Sequence, residues 1–271
     1  MLRQRIITAI ILAIVVVGSI LQADTLWTRV LLAFFLFAAT WELILLTLRT
    51  TALAAVSVAS LYVALYWWSG SVISAGLILW QSLAGVALWA LIVVGLFFYR
   101  HSGSWPLLGR VVLLAVGLDL LWICVHGLVY LHATYGGVML LYLLSLVWVA
   151  DIGAYFSGRR FGRTKLAAAI SPGKTREGLI GGLLANLLWM LVVYWISRGW
   201  GIALLPFLLV GFATSLISVV GDLFESVLKR EAGVKDSGSL LPGHGGVLDR
   251  VDSLIAATPV YVSGLIFAGQ L

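Results

Sequence analysis

Asp222, Ser226 and Lys229 recur at i, i+4 and i+7, a spacing that sets all three on one face of a helix. The stripe carries a carboxylate, a hydroxyl and an ammonium, with Glu225 and Arg230 beside it. Carboxylates suit a hard divalent cation, and Lys and Arg suit phosphate oxygens. Further along, Gly243-His244-Gly245-Gly246 is followed by Asp249, Arg250 and Asp252. Glycines let backbone approach a ligand closely and supply positive φ. Asp249 and Asp252, at i and i+3, share one side of the first turn of a helix. Acidic groups are favoured at a helix N-terminus in any case, so spacing alone leaves a capping role open beside metal binding.

A third polar group, Ser171-Pro172-Gly173-Lys174-Thr175, precedes a helix beginning near Glu177. Backbone N–H groups at a helix start make an anion site, so this is read as a Gly-Lys-Thr turn able to hold phosphate. It is not a P-loop. That pattern requires glycine at position 168, where Ala168 stands, and no strand is expected before it. Asp151 lies inside the apolar run Trp148-Val149-Ala150-Asp151-Ile152-Gly153-Ala154-Tyr155, and an intramembrane ionisable group is costly and usually functional. Glu42 and Asp119 also lie in apolar runs. For these two, a buried pairing or a polar contact between helices stands level with a part in chemistry.

The elements that must position these groups follow from composition. The chain has 271 residues, 62% hydrophobic and 10% charged, against about 45–50% and about 25% in soluble domains. Lipid is the solvent this composition implies. Of eleven acidic residues, eight lie between Asp151 and Asp252, and six between Asp222 and Asp252. A solvated face would collect charges too, but not with the helical spacing and glycine context above. One cysteine, Cys124, excludes an internal disulfide and a four-cysteine zinc site; in its apolar run it reads as a small packed side chain.

A spanning helix needs about 17–25 mostly apolar residues. Nine candidates meet this: 6–22, 29–48, 51–68, 78–99, 109–131, 136–157, 177–197, 202–228 and 250–269. The stretch from Ser71 to Tyr99 is taken as one helix with a lead-in loop. The start, with Arg3 and Arg5 before an apolar run and no small-residue cleavage site after it, reads as a retained first helix. The expected fold is all-α, a polytopic transmembrane protein of about nine spans in one membrane domain. Residues 1–135 supply N-terminal spans; 136–271 supply the rest and the polar loops carrying the active site. With the N-terminus inside and spans alternating, 15 of the 17 Lys and Arg fall on the cytoplasmic side and only Arg29 and Arg198 outside, as the positive-inside bias requires. The C-terminus then lies on the opposite side. Trp67, Trp68, Tyr99, Trp105, Trp195 and Trp200 stand near span ends, as an interfacial belt would. No basic run interleaved with aromatics points to nucleic acid.

Residues 226–252 fill the pattern S-x-x-K-R, K-D, P-x-H-G-G-x-x-D-R-x-D at Ser226, Lys229, Arg230, Lys235, Asp236, Pro242, His244, Gly245, Gly246, Asp249, Arg250 and Asp252. This resembles the signature of phosphatidate cytidylyltransferases (CDP-diacylglycerol synthases), with no departure over about a tenth of the chain. The segments around Asp151 and Ser171–Thr175 also resemble that family. The resemblance implies a nucleotidyltransferase: CTP plus phosphatidate giving CDP-diacylglycerol and pyrophosphate. It further implies Mg²⁺ as cofactor, a monovalent cation such as K⁺ beside it, and a homodimer. Membrane lipid is the surrounding partner and a bacterial inner membrane the expected location.

On this reading Asp222 and Asp249 serve a metal, with Asp252 and Asp151 as weaker candidates. Lys174, Lys229, Arg230 and Arg250 meet phosphates. Ser171, Thr175 and Ser226 add hydrogen bonds, and Lys235, Asp236, Gly245 and Gly246 complete the substrate surface. His244 contacts a phosphate, acts as acid toward the leaving group, or organises the glycine loop. Two other classes compete. A transporter would also use intramembrane acids, but its site belongs near the midplane and these charges gather at one face. A different lipid enzyme, such as a CDP-alcohol phosphotransferase, would carry a D-G-x-x-A-R motif that is absent.

Overall fold

A chain this apolar must satisfy its backbone within each segment, and helices do so without water. The computed structural model describes residues 14–22, 24–69, 74–100, 105–241, 243 and 245–269. These form α1 (14–22), α2 (Thr25–Leu48), α3 (Ala52–Trp68), α4 (Ala75–Phe98), α5 (Leu107–Tyr135), α6 (Gly137–Phe161), α7 (Arg176–Ser197), α8 (Leu204–Ala232) and α9 (Leu248–Ala268). Short polar residues set the helix starts. Asp24 accepts from Trp27 N–H at 3.0 Å, and Thr51 from Ala54 N–H at 3.3 Å, which satisfies amides that have no helical partner.

The expected all-α membrane architecture holds. Among the described residues, seven helices are long and apolar enough to cross a membrane. The count of nine is not reached by that measure: α3 has 17 residues, and α1 is described only from 14 to 22. The described part of the stretch from Ser71 to Tyr99 holds the single helix α4, and residues 71–73 of the expected lead-in loop lie outside the described residues. Both α6 and α8 outrun their predicted ends, to Phe161 and Ala232. The stripe from Asp222 to Arg230 is therefore helical throughout. The polar segment between α6 and α7 holds a hairpin that the sequence reading did not foresee. Its strands are β1 (Lys165–Ala167) and β2 (Ser171–Thr175), antiparallel with Lys165 opposite Thr175 and Ala167 opposite Ser171.

The backbone divides into two units. The first comprises Met1–Ile78, Ser102–Leu141 and Val227–Asp252. Here α2 packs on α3 and on α5. Leu36, Ala39, Leu43 and Ile44 of α2, Ala55 and Ala59 of α3, and Leu120, Cys124 and Leu128 of α5 are buried. Cys124 is thus the packed side chain expected of it. Gly117 lets α5 approach α2, since a Cβ there would stand 2.7 Å from Leu43 Cδ2.

The second unit comprises Leu79–His101, Tyr142–Ser226 and Ser253–Leu271. Helices in lipid gain nothing from excluding water, so small residues and interhelical hydrogen bonds hold them. Asn186 Nδ2 donates to Leu146 O at 2.7 Å and to Ser215 Oγ at 2.8 Å. Gly153 on α6 faces Gly182 and Ala185 on α7. A Cβ at Gly182 would stand 2.6 Å from the Ala150 carbonyl oxygen.

Backbone cannot yield there as a flexible side chain can. Gly182→Ala is therefore expected to destabilise by about 1–3 kcal/mol, the usual cost of overpacking. Gly95→Ala, with nothing within 4 Å of the added carbon, is expected to cost nothing because alanine is the better helix former. Thermal unfolding of the two variants in detergent checks the contrast.

Candidate active site

In the second unit, β2 ends at Thr175, whose hydroxyl caps α7 by accepting from Gly178 N–H at 3.1 Å. Glu177, in the first turn, folds back and accepts from Arg163 N–H and Thr164 N–H, both at 3.1 Å. Arg176 N–H donates to Thr164 O at 2.9 Å. These contacts tie the hairpin to the start of α7. The Ser171–Thr175 segment is thus a strand preceded by a strand, not the turn expected. The hairpin presents Lys174, whose Nζ lies 2.6 Å from Asp222 Oδ2 on α8. Ser226 Oγ, one turn further on, donates to Asp222 Oδ1 at 3.4 Å. The side chains of Lys174 and Asp222 are 24% and 34% exposed. Ser171 is half-buried, and Asp151 is exposed on α6.

The second group forms in the first unit, where α8 ends and α9 begins. Lys229 Nζ lies 2.6 Å from Asp249 Oδ1. Asp249 Oδ2 accepts from Ser237 N–H at 2.9 Å, Ser237 Oγ at 3.0 Å and Gly246 N–H at 2.9 Å. Asp249 N–H donates to Ser237 Oγ at 3.3 Å. Gly245 has φ +84°, and a Cβ there would crowd Asp249 Oδ2 at 2.9 Å. Only glycine fits that position. Leu241 N–H closes the loop onto Gly245 O at 3.0 Å. Arg230, Lys235, Asp236 and Arg250 are exposed, and Asp252 is half-buried on α9. His244 and Pro242 lie outside the described residues.

The sequence-predicted residues thus fall into two lysine–aspartate pairs. Lys174, Asp222 and Ser226 meet in one unit; Lys229, Asp249, Gly245 and Gly246 meet in the other. Among the described residues no group of three or more His, Cys, Asp or Glu side chains is arranged to hold a metal. Mg²⁺ does not require one, because it takes one or two carboxylates and fills its shell with water and substrate phosphates. Asp222 fits such a ligand: it is partly exposed, and among the described residues its Oδ1 has the long Ser226 contact. Asp249 fits on Oδ1 if Lys229 turns away, while Oδ2 is fully engaged. Sequence reasoning left Glu42 open and did not single out Ser237 or Glu177. Glu42 is 2% exposed and accepts from Ser237 Oγ and from the Val247 and Leu248 amides. A glutamate amid leucines was the available signal; nothing in the sequence marked its partner.

The two pairs differ in burial, and that decides what breaking each should cost. The Lys229 and Asp249 side chains are 15% and 8% exposed. Lys229→Met leaves a shielded carboxylate short of its cation and is expected to destabilise by on the order of 2–3 kcal/mol. Lys174→Met breaks an open pair and is expected to cost less than about 1 kcal/mol. Thermal midpoints in detergent measure the difference.

The chain is similar to known proteins over nearly its whole length. The model of the cytidylyltransferase family matches residues 3–267. The phosphatidate cytidylyltransferase of Pseudomonas aeruginosa is 42% identical over 276 residues, covering 99% of this chain and 98% of that protein. That of Haemophilus influenzae is 52% identical over 136 residues, 49% of this chain and 47% of that protein. That of Staphylococcus saprophyticus is 45% identical over 136 residues, 49% of this chain and 52% of that protein. The family match spans nearly the whole chain, including both lysine–aspartate pairs, and the protein therefore belongs to the cytidylyltransferase family.

Proposed function

We propose that this protein transfers CMP from CTP to phosphatidate, giving CDP-diacylglycerol and pyrophosphate in phospholipid biosynthesis. The observation that carries the reading is the pair of lysine–aspartate contacts, Lys174–Asp222 and Lys229–Asp249. Each couples a group that binds phosphate to a group that binds a cation. The substrates are those named for its relatives.

The reaction needs little proton chemistry. A phosphate oxygen of phosphatidate, ionised near neutral pH, attacks the α-phosphorus of CTP. A new P–O bond forms, the bond from the α-phosphorus to its bridging oxygen breaks, and pyrophosphate leaves with the electron pair. The difficulty is holding two polyanions together. A divalent cation, Mg²⁺ with K⁺ as a second ion, supplies charge neutralisation on the phosphates when bound. Asp222 and Asp249, each in its own unit, are the carboxylates that would serve a cation, with Asp151 and Asp252 as further candidates. Lys174 and Lys229 exchange their carboxylate partners for phosphate oxygens as substrate enters. Arg230 and Arg250, both exposed, meet phosphates from the solvent side. Ser171, Thr175 and Ser226 donate hydroxyls, Lys235 and Asp236 border the nucleotide, and Gly245 and Gly246 shape the loop. His244 would contact a phosphate, act as acid toward the leaving group, or organise the glycine loop.

CTP is cytosolic and phosphatidate lies in the bilayer, so the site belongs on the cytoplasmic face of a bacterial inner membrane. The bias of basic residues to that side supports this orientation and also draws anionic lipid. The working form in this reading is a homodimer of single membrane domains.

Purified protein given radiolabelled CTP, phosphatidate and Mg²⁺ is expected to move label into the lipid phase, in detergent and without a sealed membrane. Asp249→Asn is expected to lower turnover by about 100-fold or more while still inserting. Label that stays in the aqueous phase with the parent protein would refute the reaction. Near-normal turnover by the variant would remove Asp249 from it.

A further inference from the structure

Glu42 stands in the second half of α2 with 2% of its surface exposed. A carboxylate there requires donors. They come from 195 to 206 residues away in sequence. Oε1 accepts from Val247 N–H at 3.0 Å; Oε2 accepts from Leu248 N–H at 2.8 Å and from Ser237 Oγ at 3.0 Å. Those two amides open α9, where N–H groups have no helical partner. Glu42 is therefore a helix cap supplied by a different helix.

Ser237 links this cap to the aspartate beside it. Its hydroxyl lies 3.0 Å from Glu42 Oε2 and 3.0 Å from Asp249 Oδ2, and it accepts from Asp249 N–H. A hydroxyl has one hydrogen to donate, so Ser237 donates to one of the two carboxylates at a time, and its orientation couples them. Two glycines leave the space. A Cβ at Gly238 would fall on Glu42 Oε1, and one at Gly246 on Ser237 Oγ and Glu42 Oε2. The glycine at 246 is explained by the glutamate it accommodates, without a ligand.

We infer that Glu42 is a positioning residue for Asp249: it fixes Ser237, Val247 and Leu248, and thereby the carboxylate and Arg250 that follow. The inference rests on the reading that this segment serves cytidylyl transfer. A glutamate that only stabilised the fold would lower the melting temperature without a selective loss of turnover.

The test uses the purified full chain as Glu42→Gln, Ser237→Ala and the double variant. Readouts are kcat, KM for CTP, thermal midpoint, and hydrogen exchange of peptides spanning 236–249. Glutamine keeps the size but turns an NH₂ toward groups that need an acceptor. The expected result is a kcat about 10-fold lower or more, in the range seen when groups supporting a ligand are removed, with KM for CTP changed by less than about 2-fold. Amide exchange at 247 and 248 should speed up. The double variant should be no worse than the poorer single, because both act through one network. Parent-like kcat with unchanged exchange in Glu42→Gln would overturn the inference, as would losses that multiply in the double variant. If Glu42→Gln does not accumulate in the membrane, Ser237→Ala decides. Lower kcat at an unchanged thermal midpoint supports the inference, and unchanged kcat overturns it. If the parent itself transfers no label, the reaction reading fails, and exchange at 247 and 248 still decides whether Glu42 orders the loop.

Discussion

A carboxylate inside an apolar chain persists only where donors meet it, and the turn from α8 to α9 is organised around that constraint. Asp249 and Glu42 are both shielded, and between them they take one ammonium, one hydroxyl and four backbone amides. Three of those amides, at Gly246, Val247 and Leu248, belong to the last loop residues and the start of α9. A helix N-terminus offers such amides without partners, and its dipole favours negative charge there. The acidic residues and the helix end thus satisfy one another. The glycines at 238, 245 and 246 follow as a consequence, because side chains at those positions would occupy the carboxylates' space.

The same logic runs at lower intensity in the second unit. Thr175 and Glu177 use the first amides and the first turn of α7 to anchor the hairpin, and the hairpin presents Lys174 to Asp222. That pair is more open than Lys229–Asp249. Its contribution to stability is expected to be small. Below it, α6 and α7 approach through glycine and alanine rather than through large side chains. Lipid supplies no hydrophobic force between helices, so close backbone approach and the Asn186 hydrogen bonds do that work.

Much of this was legible in the sequence because it rests on local spacing. The i, i+4, i+7 stripe at Asp222, Ser226 and Lys229 lies on one helix, and Asp249 falls in the first turn of α9. Hydropathy located the long apolar helices, seven of which among the described residues are long enough to span a membrane, and the described part of the stretch before Tyr99 is one helix. What escaped depends on contacts between distant segments. Glu42 meets residues 195 or more positions away, and no periodicity encodes that. The hairpin escaped for a different reason: its strands have three and five residues, and Pro172 and Gly173 interrupt the second, so no alternation could announce it. The protein's own donors to Asp249 were likewise not legible in the sequence, and they occupy its Oδ2.

The central proposal is that Asp222 and Asp249, each in its own unit, give up lysine partners to serve cations beside substrate phosphates. Electron paramagnetic resonance of Mn²⁺, substituted for Mg²⁺ and titrated into purified protein with CTP present, tests this directly. The account predicts a bound-manganese signal in the parent protein that is strongly weakened by Asp222→Asn and by Asp249→Asn, each in folded protein. A signal equally strong in the parent and both variants would contradict it.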